Sequence, residues 1–507
     1  MSRRQLRLLP ALASAASFVV LARYFWIQIG DDAFIYFRYA VNLASGNGPV
    51  WNPGGPPVEG FSSPLWLALL TLGELVGVSL ADWARLLGVG FAALAVAGVF
   101  VLARRLGAGE IAAGLASLAS TLVYGLQYWA PGGLETPLYA AAVTWTLAEL
   151  AGGSRWRWAI PACAVGLGRP EGPFILALAV AGAGLLRGRK ALGAGPLLIA
   201  CGPTAAYLAF RLAYYGVPLP NTFYAKAGGG QPEQFIEGIR QVLFAPPAWL
   251  ACALGWAARR SAERRAALVA LGLLAALLLA VAAGGRDWMW HERLLVPVLL
   301  PLLALASPLG RKGGTAWNKA GLLACVCLVL LFSIPPWVLT DALRGRSLDP
   351  RARQEGLMTD VAEDVAGYIR DHYPPGSLVA VNHAGAVPFY LGPGYTCLDM
   401  AGLSDAHIGR EVKGALHDKY DAAYVLSRKP RLFVLNSEVR PGTGGIWYHP
   451  GYWKGESALL AENEFREGYR PVQRYWAWEW AHEMGAVVQR YIILAEANPA
   501  KAPSGLR

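Results

Sequence analysis

Apolar runs long enough for a bilayer-crossing helix, roughly 20 residues each, follow one another through the first two thirds of this 507-residue chain. Helices that are apolar all round must be buried on every side, and only helices or closed barrels satisfy their backbone polar groups within lipid. The pattern therefore predicts a polytopic α-helical membrane protein. Composition agrees, with 55% hydrophobic and 16% charged residues and a mean hydropathy of +0.35. The runs stop after about Pro336, where Asp, Glu, His, Lys and Arg become frequent. That shift predicts a transmembrane domain over 1–336 and a soluble domain over 337–507.

The net charge of +11 does not call for nucleic acid. Its Lys and Arg residues cluster between apolar runs, at Arg104 and Arg105, Arg155 and Arg157, Arg187 to Lys190, Arg259 to Arg265, and Arg311 and Lys312. That is the positive-inside pattern. Five of the six cysteines sit in apolar runs and Cys397 alone falls in the soluble part, so no disulfide forms there and no zinc spacing exists.

Span length and basic clusters together order the membrane part. The N-terminus has a basic start and an apolar run like a signal peptide, but further spans follow, so it reads as an uncleaved first helix, 8–27. The spans then run 85–103, 111–129, 137–151, 158–168, 173–186, 193–214, 241–257, 266–283, 294–309 and 317–335. The apolar run 63–79 is short and carries Glu74; counted as a span it would misplace every later basic cluster, so it is expected to lie along the outer leaflet. Eleven spans put the N-terminus in the cytoplasm and the soluble domain outside. DDAF, VEGFSS, GGLET, GRPEG, NTFYAK and RDWMWHER then all fall on the outer face.

In the soluble part, SLVAVNHAGAVPFYLG, PRLFVLNS and RYIILAEA read as short buried strands and 359–370 as a helix, an α/β domain. Gly385 stands without a GxGxxG fingerprint, so no nucleotide site is expected. The aromatic tail IWYHPGYWKG and YWAWEWAHE suits sugar rings, a domain core or the bilayer interface.

Asp31 and Asp32 open a helix, AFIYFRYAVNL, where acids suit the N-terminal dipole. At the edge of a bilayer carboxylates are also functional candidates. Successive helical residues diverge by about 100°, so only one of the two faces a given cleft.

GDDAFIYFRYAVNLASGNGPVWNPGGPPVEGFSSPLW, GRPEG, PNTFYAK, GGRDWMWHER and VNHAGAVPFY together resemble the bacterial membrane arabinofuranosyltransferase-like family of the GT-C superfamily. The resemblance implies a GT-C fold with juxtamembrane helices. It implies transfer of a sugar, arabinofuranose or another pentose or hexose, from a polyprenyl phosphate to an extracytoplasmic glycan or glycolipid at the bacterial plasma membrane. It makes Asp31 the leading catalytic base, with Asp32 second. A carboxylate can take the proton of an attacking hydroxyl, while the departing lipid phosphate needs cations or donors. Arg169, Lys226, Arg286, His291 and Arg293 are the phosphate-binding candidates. Glu59, Glu135, Glu171, Asn221, Tyr224, Asp287, Asn382 and His383 are the candidates for holding acceptor or sugar. The resemblance would have an acidic residue where His383 stands. Glu135 could orient the acceptor, close its own turn, or hold a divalent cation with Asp31, and Arg169 could pair with Glu171. Asp399 and His407 complete the polar set of the soluble part. The competing reading is non-enzymatic, a transporter or flippase or a motility-related accessory protein, for which broken or repeated mid-membrane helices would be the sign.

Overall fold

The computed structural model describes residues 9–26, 29–152, 154, 156–226, 232–243, 263–284, 289, 293–310, 350–414, 416, 419–439, 454–481 and 487–498. The first helix, α1 (Leu9–Ala22), tightens into a 3-10 turn at Arg23–Phe25. The stretch expected on the outer face, hereafter the outer stretch, contains α2 (Asp31–Ala44) and α3 (Pro64–Leu75). Gly30 caps α2 in extended conformation with both acids in the first turn. The hydroxyl of Ser63 accepts the Trp66 N–H to start α3, with Pro64 at the first position, where its missing N–H costs nothing.

The longest helix, α4 (Leu80–Arg105), spans about 39 Å at 1.5 Å per residue. Ser79 caps it, Asp82 lies in its first turn and Arg104 and Arg105 in its last, each charge complementing the helix dipole. Then come α5 (Glu110–Ser120), α6 (Tyr124–Trp129), α7 (Thr136–Gly152), α8 (Ala159–Gly168), α9 (Gly172–Arg187), α10 (Ala194–Tyr215), α11 (Asn221–Lys226), α12 (Pro232–Leu243), α13 (Arg264–Ala283) and α14 (Val296–Ala306). Among the described residues α4, α10 and α13 are long and apolar enough to cross a membrane, and several shorter apolar helices accompany them. Large side chains such as Ile111, Leu185, Leu198 and Leu279 stand 70% or more exposed on their outer faces, a distribution that suits lipid rather than water.

The expected helix over 111–129 is two helices. Ser120 and Thr121 turn their hydroxyls back onto the carbonyls of Ser117 and Leu118, and the Gln127 amide takes the Thr121 carbonyl at 2.6 Å. Side chains thus satisfy the backbone where the helix would have continued. The expected spans 241–257, beyond residue 243, and 317–335 lie outside the described residues.

After α15 (Pro350–His372) the chain builds one mixed sheet. It comprises β1 (Leu378–Val381), α16 (Ala386–Leu391), β2 (Thr396–Asp399), α17 (Ala406–Arg410), α18 (Ala422–Ser427), β3 (Leu432–Val439), α19 (Lys454–Ala461), α20 (Asn463–Gly468), β4 (Tyr469–Ala481) and β5 (Val487–Ala497). Strand order is β2-β1-β3-β5-β4. β1 runs parallel to β2 and β3, with Val379 opposite Cys397 and Leu432, while β5 runs antiparallel to β3 and β4. The apolar VPFYL after β1 is the helix α16, not more strand; Pro388 sits in its first turn, where an N–H has no helical partner anyway. The aromatic run YWAWEW belongs to strand β4.

Alternation along β1 separates the cores. Ala380 faces a cluster with Phe433 and Leu459, whereas Val379 and Val381 face one that also contains Phe34, Phe37 and Trp66 of α2 and α3. The outer stretch and the sheet therefore share a single apolar core.

Candidate active site

The acidic pair lies on this seam. The N–H of Gly30 donates to the Gly132 carbonyl at 3.3 Å, tying the start of α2 to the turn before α7. The Asp31 carboxylate accepts the Gly385 N–H at 3.1 Å through Oδ2 and the Ala386 N–H at 2.8 Å through Oδ1. A Cβ at position 385 would stand 1.9 Å from the Asp31 carbonyl oxygen, so only glycine admits this approach. Burial pushes the Asp31 carboxyl above its usual range, partly offset by the charge of His383 and the two amides and reinforced by Asp32. The Asp32 carboxylate accepts no hydrogen bond and pairs with no cation among the described residues.

Seven residues further along α2, on the same face, Arg38 is 2% exposed. It donates to the carbonyls of Trp51 (2.7 Å), Gly392 (3.0 Å), Tyr395 (2.9 Å) and Pro388, and to Asn52 Oδ1 at 3.1 Å. One face of α2 thus grips both ends of α16, with an acid on its N-terminal amides and a guanidinium on its C-terminal carbonyls. Both contacts follow the helix dipole. Asn52 adds a closed pair with the backbone of Cys397 in β2, donating at 2.7 Å and accepting at 3.0 Å.

The other candidates lie around this seam. Tyr36 donates to Glu135 at 3.4 Å and takes the N–H groups of Ser62 and Ser63, so a 3% exposed Glu135 is tied to α2 and the start of α3. Glu59 is fully buried, with Arg211 bidentate at 2.6 and 3.0 Å and the Tyr207 hydroxyl at 2.6 Å. Asn221 donates to the carbonyls of Gly402, Leu403 and Asp405 and accepts from Arg410 at 2.7 Å. Tyr224 offers its carbonyl to Lys419 at 2.8 Å. Glu59 and Asn221 thus fasten α10 and α11 to the outer stretch and the sheet part. Asn382 donates to Glu456 at 3.0 Å, and His383 lies close enough to act on the charge of Asp31.

Among the cations, Arg169 is 8% exposed and rests 5.4 Å over the Tyr139 ring. Its 3.2 Å contact with Glu171 is not aligned as a hydrogen bond, and among the described residues its Nε and Nη1 have no other acceptor. Arg293 lies 5.7 Å over the Trp129 ring, which in turn reaches within 4.0 Å of where a Cβ would sit on Gly30. Lys226 ends α11, half-buried. Arg286, Asp287 and His291 lie outside the described residues. Asp399 accepts three backbone N–H groups, and burial lifts its carboxyl to about 7. His407 bridges Glu411 and Asp421 at 2.9 Å each. Among the described residues no three His, Cys, Asp or Glu side chains converge.

This frame recurs in solved structures. ArnT from Cupriavidus metallidurans bound to undecaprenyl phosphate superposes with a TM-score of 0.53 at 16% identity, over 96% of this chain and 99% of that one. The oligosaccharyltransferase AglB from Archaeoglobus fulgidus, in complex with an inhibitory peptide and a dolichol-phosphate, gives 0.50 at 11% identity, over 98% and 75%. The chain has the GT-C fold.

In sequence, the GT-C chain is 29% identical over 429 residues to a terminal β-(1→2)-arabinofuranosyltransferase of Corynebacterium glutamicum, 72% of this chain and 59% of that protein. It is 30% identical over 226 residues to the protein of the same name from Mycobacterium tuberculosis, 40% and 35%. The chain thus spans less than two thirds of these relatives. Residues 351–492 match a family described as a domain of unknown function, DUF8728. Sequence reasoning missed Arg38 and Asn52 in this GT-C frame. The seven-residue interval from Asp31 to Arg38, two helical turns, was the available signal for Arg38.

Proposed function

We propose that this chain is a GT-C glycosyltransferase of the bacterial plasma membrane. In this reading it moves a sugar, arabinofuranose by analogy with its sequence relatives, from a polyprenyl phosphate to an extracytoplasmic glycan or glycolipid. Membrane helices over 1–336, eleven in all with the N-terminus inside, carry the chemistry, and 337–507 lie outside and help to bind the acceptor. The observation that supports this most is the Asp31 carboxylate, buried on the outer seam and fixed by two amides.

A carboxylate has about four lone-pair sites; two of those on Asp31 hold the Gly385 and Ala386 amides, leaving others for an acceptor hydroxyl. The hydroxyl oxygen bonds to the anomeric carbon, the bond from that carbon to the phosphate oxygen breaks, and the hydroxyl proton passes to Asp31. The products are a glycoside and polyprenyl phosphate. Burial suits Asp31 to this task, because a raised proton affinity strengthens a base. Arg169, whose Nε and Nη1 have no hydrogen-bond partner among the described residues, and Arg293, beside Trp129, are the described cations best placed to hold the departing phosphate.

The test is to give the purified full chain a panel of polyprenyl-phosphate sugars with a glycan acceptor and to follow donor and product. Donor consumption with a new glycosidic bond is expected. Movement of lipid-linked sugar across vesicles without product would overturn the reading in favour of transport.

A further inference from the structure

A groove of about 980 Å³ runs along the membrane part between α4, α7 and α8, with Leu65 and Leu69 of α3 also in its lining. Its walls are apolar, among them Phe91, Leu94, Phe100 and Trp145, and it ends at Arg104, Arg105 and Arg157. Leu80 and Ala84, near the start of α4, share the core with α2. Arg104 stands 24 residues beyond Leu80, about 36 Å along the helix, so the basic end lies at the opposite end of α4 from Asp31.

The basic end is built as a headgroup seat. Glu149 neutralises one cation, pairing with Arg105 at 3.1 Å. Arg104 reaches the Ala108 carbonyl and approaches Glu110 only to 3.9 Å, leaving most of its guanidinium for another acceptor. Arg157 is exposed and makes no hydrogen bond or ion pair with a described residue, and Trp156 beside it is 49% exposed, as suits an interfacial aromatic. From Phe91 to Arg104 the groove covers about 20 Å of helix, enough for a chain filling one leaflet, whose hydrocarbon half-thickness is about 15 Å. Gly98 sets the depth of the wall. The Trp145 ring turns its edge to α4 there, its N–H donating to the Leu94 carbonyl at 2.9 Å, and a Cβ on Gly98 would meet its Nε1 at 2.9 Å.

We propose that this groove binds an anionic glycerophospholipid, with its phosphate on Arg104 and Arg157 and an acyl chain along Leu94, Phe100 and Trp145. Basic pockets between membrane helices favour such headgroups. The polyprenyl-phosphate donor does not suit this seat, because its phosphate would stand at the wrong end of α4 for Asp31.

The test measures the unfolding midpoint of the detergent-purified full chain with added phosphatidylglycerol, phosphatidylcholine of the same acyl chains, or polyprenyl phosphate. Phosphatidylglycerol is expected to raise the midpoint more than the other two. The R104Q/R157Q double variant should lose that difference, each single variant should reduce it, and R240Q, on an exposed helix elsewhere, should keep it. Equal shifts from phosphatidylglycerol and phosphatidylcholine would overturn the proposal. So would a larger shift from polyprenyl phosphate, or an unchanged preference in the single variants. The wild-type comparison alone decides the headgroup question if the double variant does not fold.

Discussion

Among single residues, the charges that face Asp31 set its proton affinity. Its carboxyl is held above the ordinary range by burial, opposed by His383 and by the Gly385 and Ala386 amides and reinforced by Asp32. The base acts only when ionised, so activity should fall on the acid side at a pH above the usual carboxylate value near 4. Removing the His383 charge removes support for the ionised form, and H383A should move that acid limb to higher pH. Removing the neighbouring negative charge has the opposite sign, and D32N should move it lower. A pH–rate profile of the three proteins checks both directions. Asn221 offers a different reading. Its Nδ2 serves three carbonyls while its Oδ1 takes Arg410, so N221D would set a carboxylate against those carbonyls. It should cost roughly 3 kcal/mol or more, and N221A less, measured by denaturant unfolding.

At the scale of elements, α16 is the piece that α2 holds at both ends. G385A would drive a Cβ into the Asp31 carbonyl, so α16 must shift away and both amides leave the carboxylate. Activity should drop at least tenfold, and hydrogen exchange should quicken over 378–392 while α4 stays protected. R38M should loosen the other end of α16, with similar exchange, because it strips the donor from four buried carbonyls. The helices α2, α4, α7 and α10 follow the apolar and capping pattern closely and were legible in sequence. The break between α5 and α6 was not, because it depends on hydroxyls and an amide turning back onto the backbone. The identity of α16 was hidden for a similar reason: VPFYL has the apolar, β-branched look of a strand, and its helical state is set by its contacts with Asp31 and Arg38.

At the scale of the whole molecule, the outer stretch and the sheet share one core, from Phe34 and Trp66 to Val379 and Val381. Parts joined by a shared apolar core unfold together, so calorimetry should give one transition for the outer stretch and sheet, and two separate ones would argue against the seam. Sequence placed the acidic pair, Glu135 and Asn221 on loops of one face. It could not say that Glu59 is committed to Arg211 and Tyr207, since those partners lie about 150 residues away on another helix. Nor could it bring Gly385 to Asp31 across 354 residues. In the proposed reaction the carboxylate held at that contact takes the acceptor's proton. Single-turnover transfer from a polyprenyl-phosphate sugar by D31N, with its fold verified by an unchanged unfolding midpoint, tests it most directly. A loss of about 10²- to 10⁴-fold in the chemical step, with donor binding intact, is the predicted result. Transfer at the wild-type rate would contradict it.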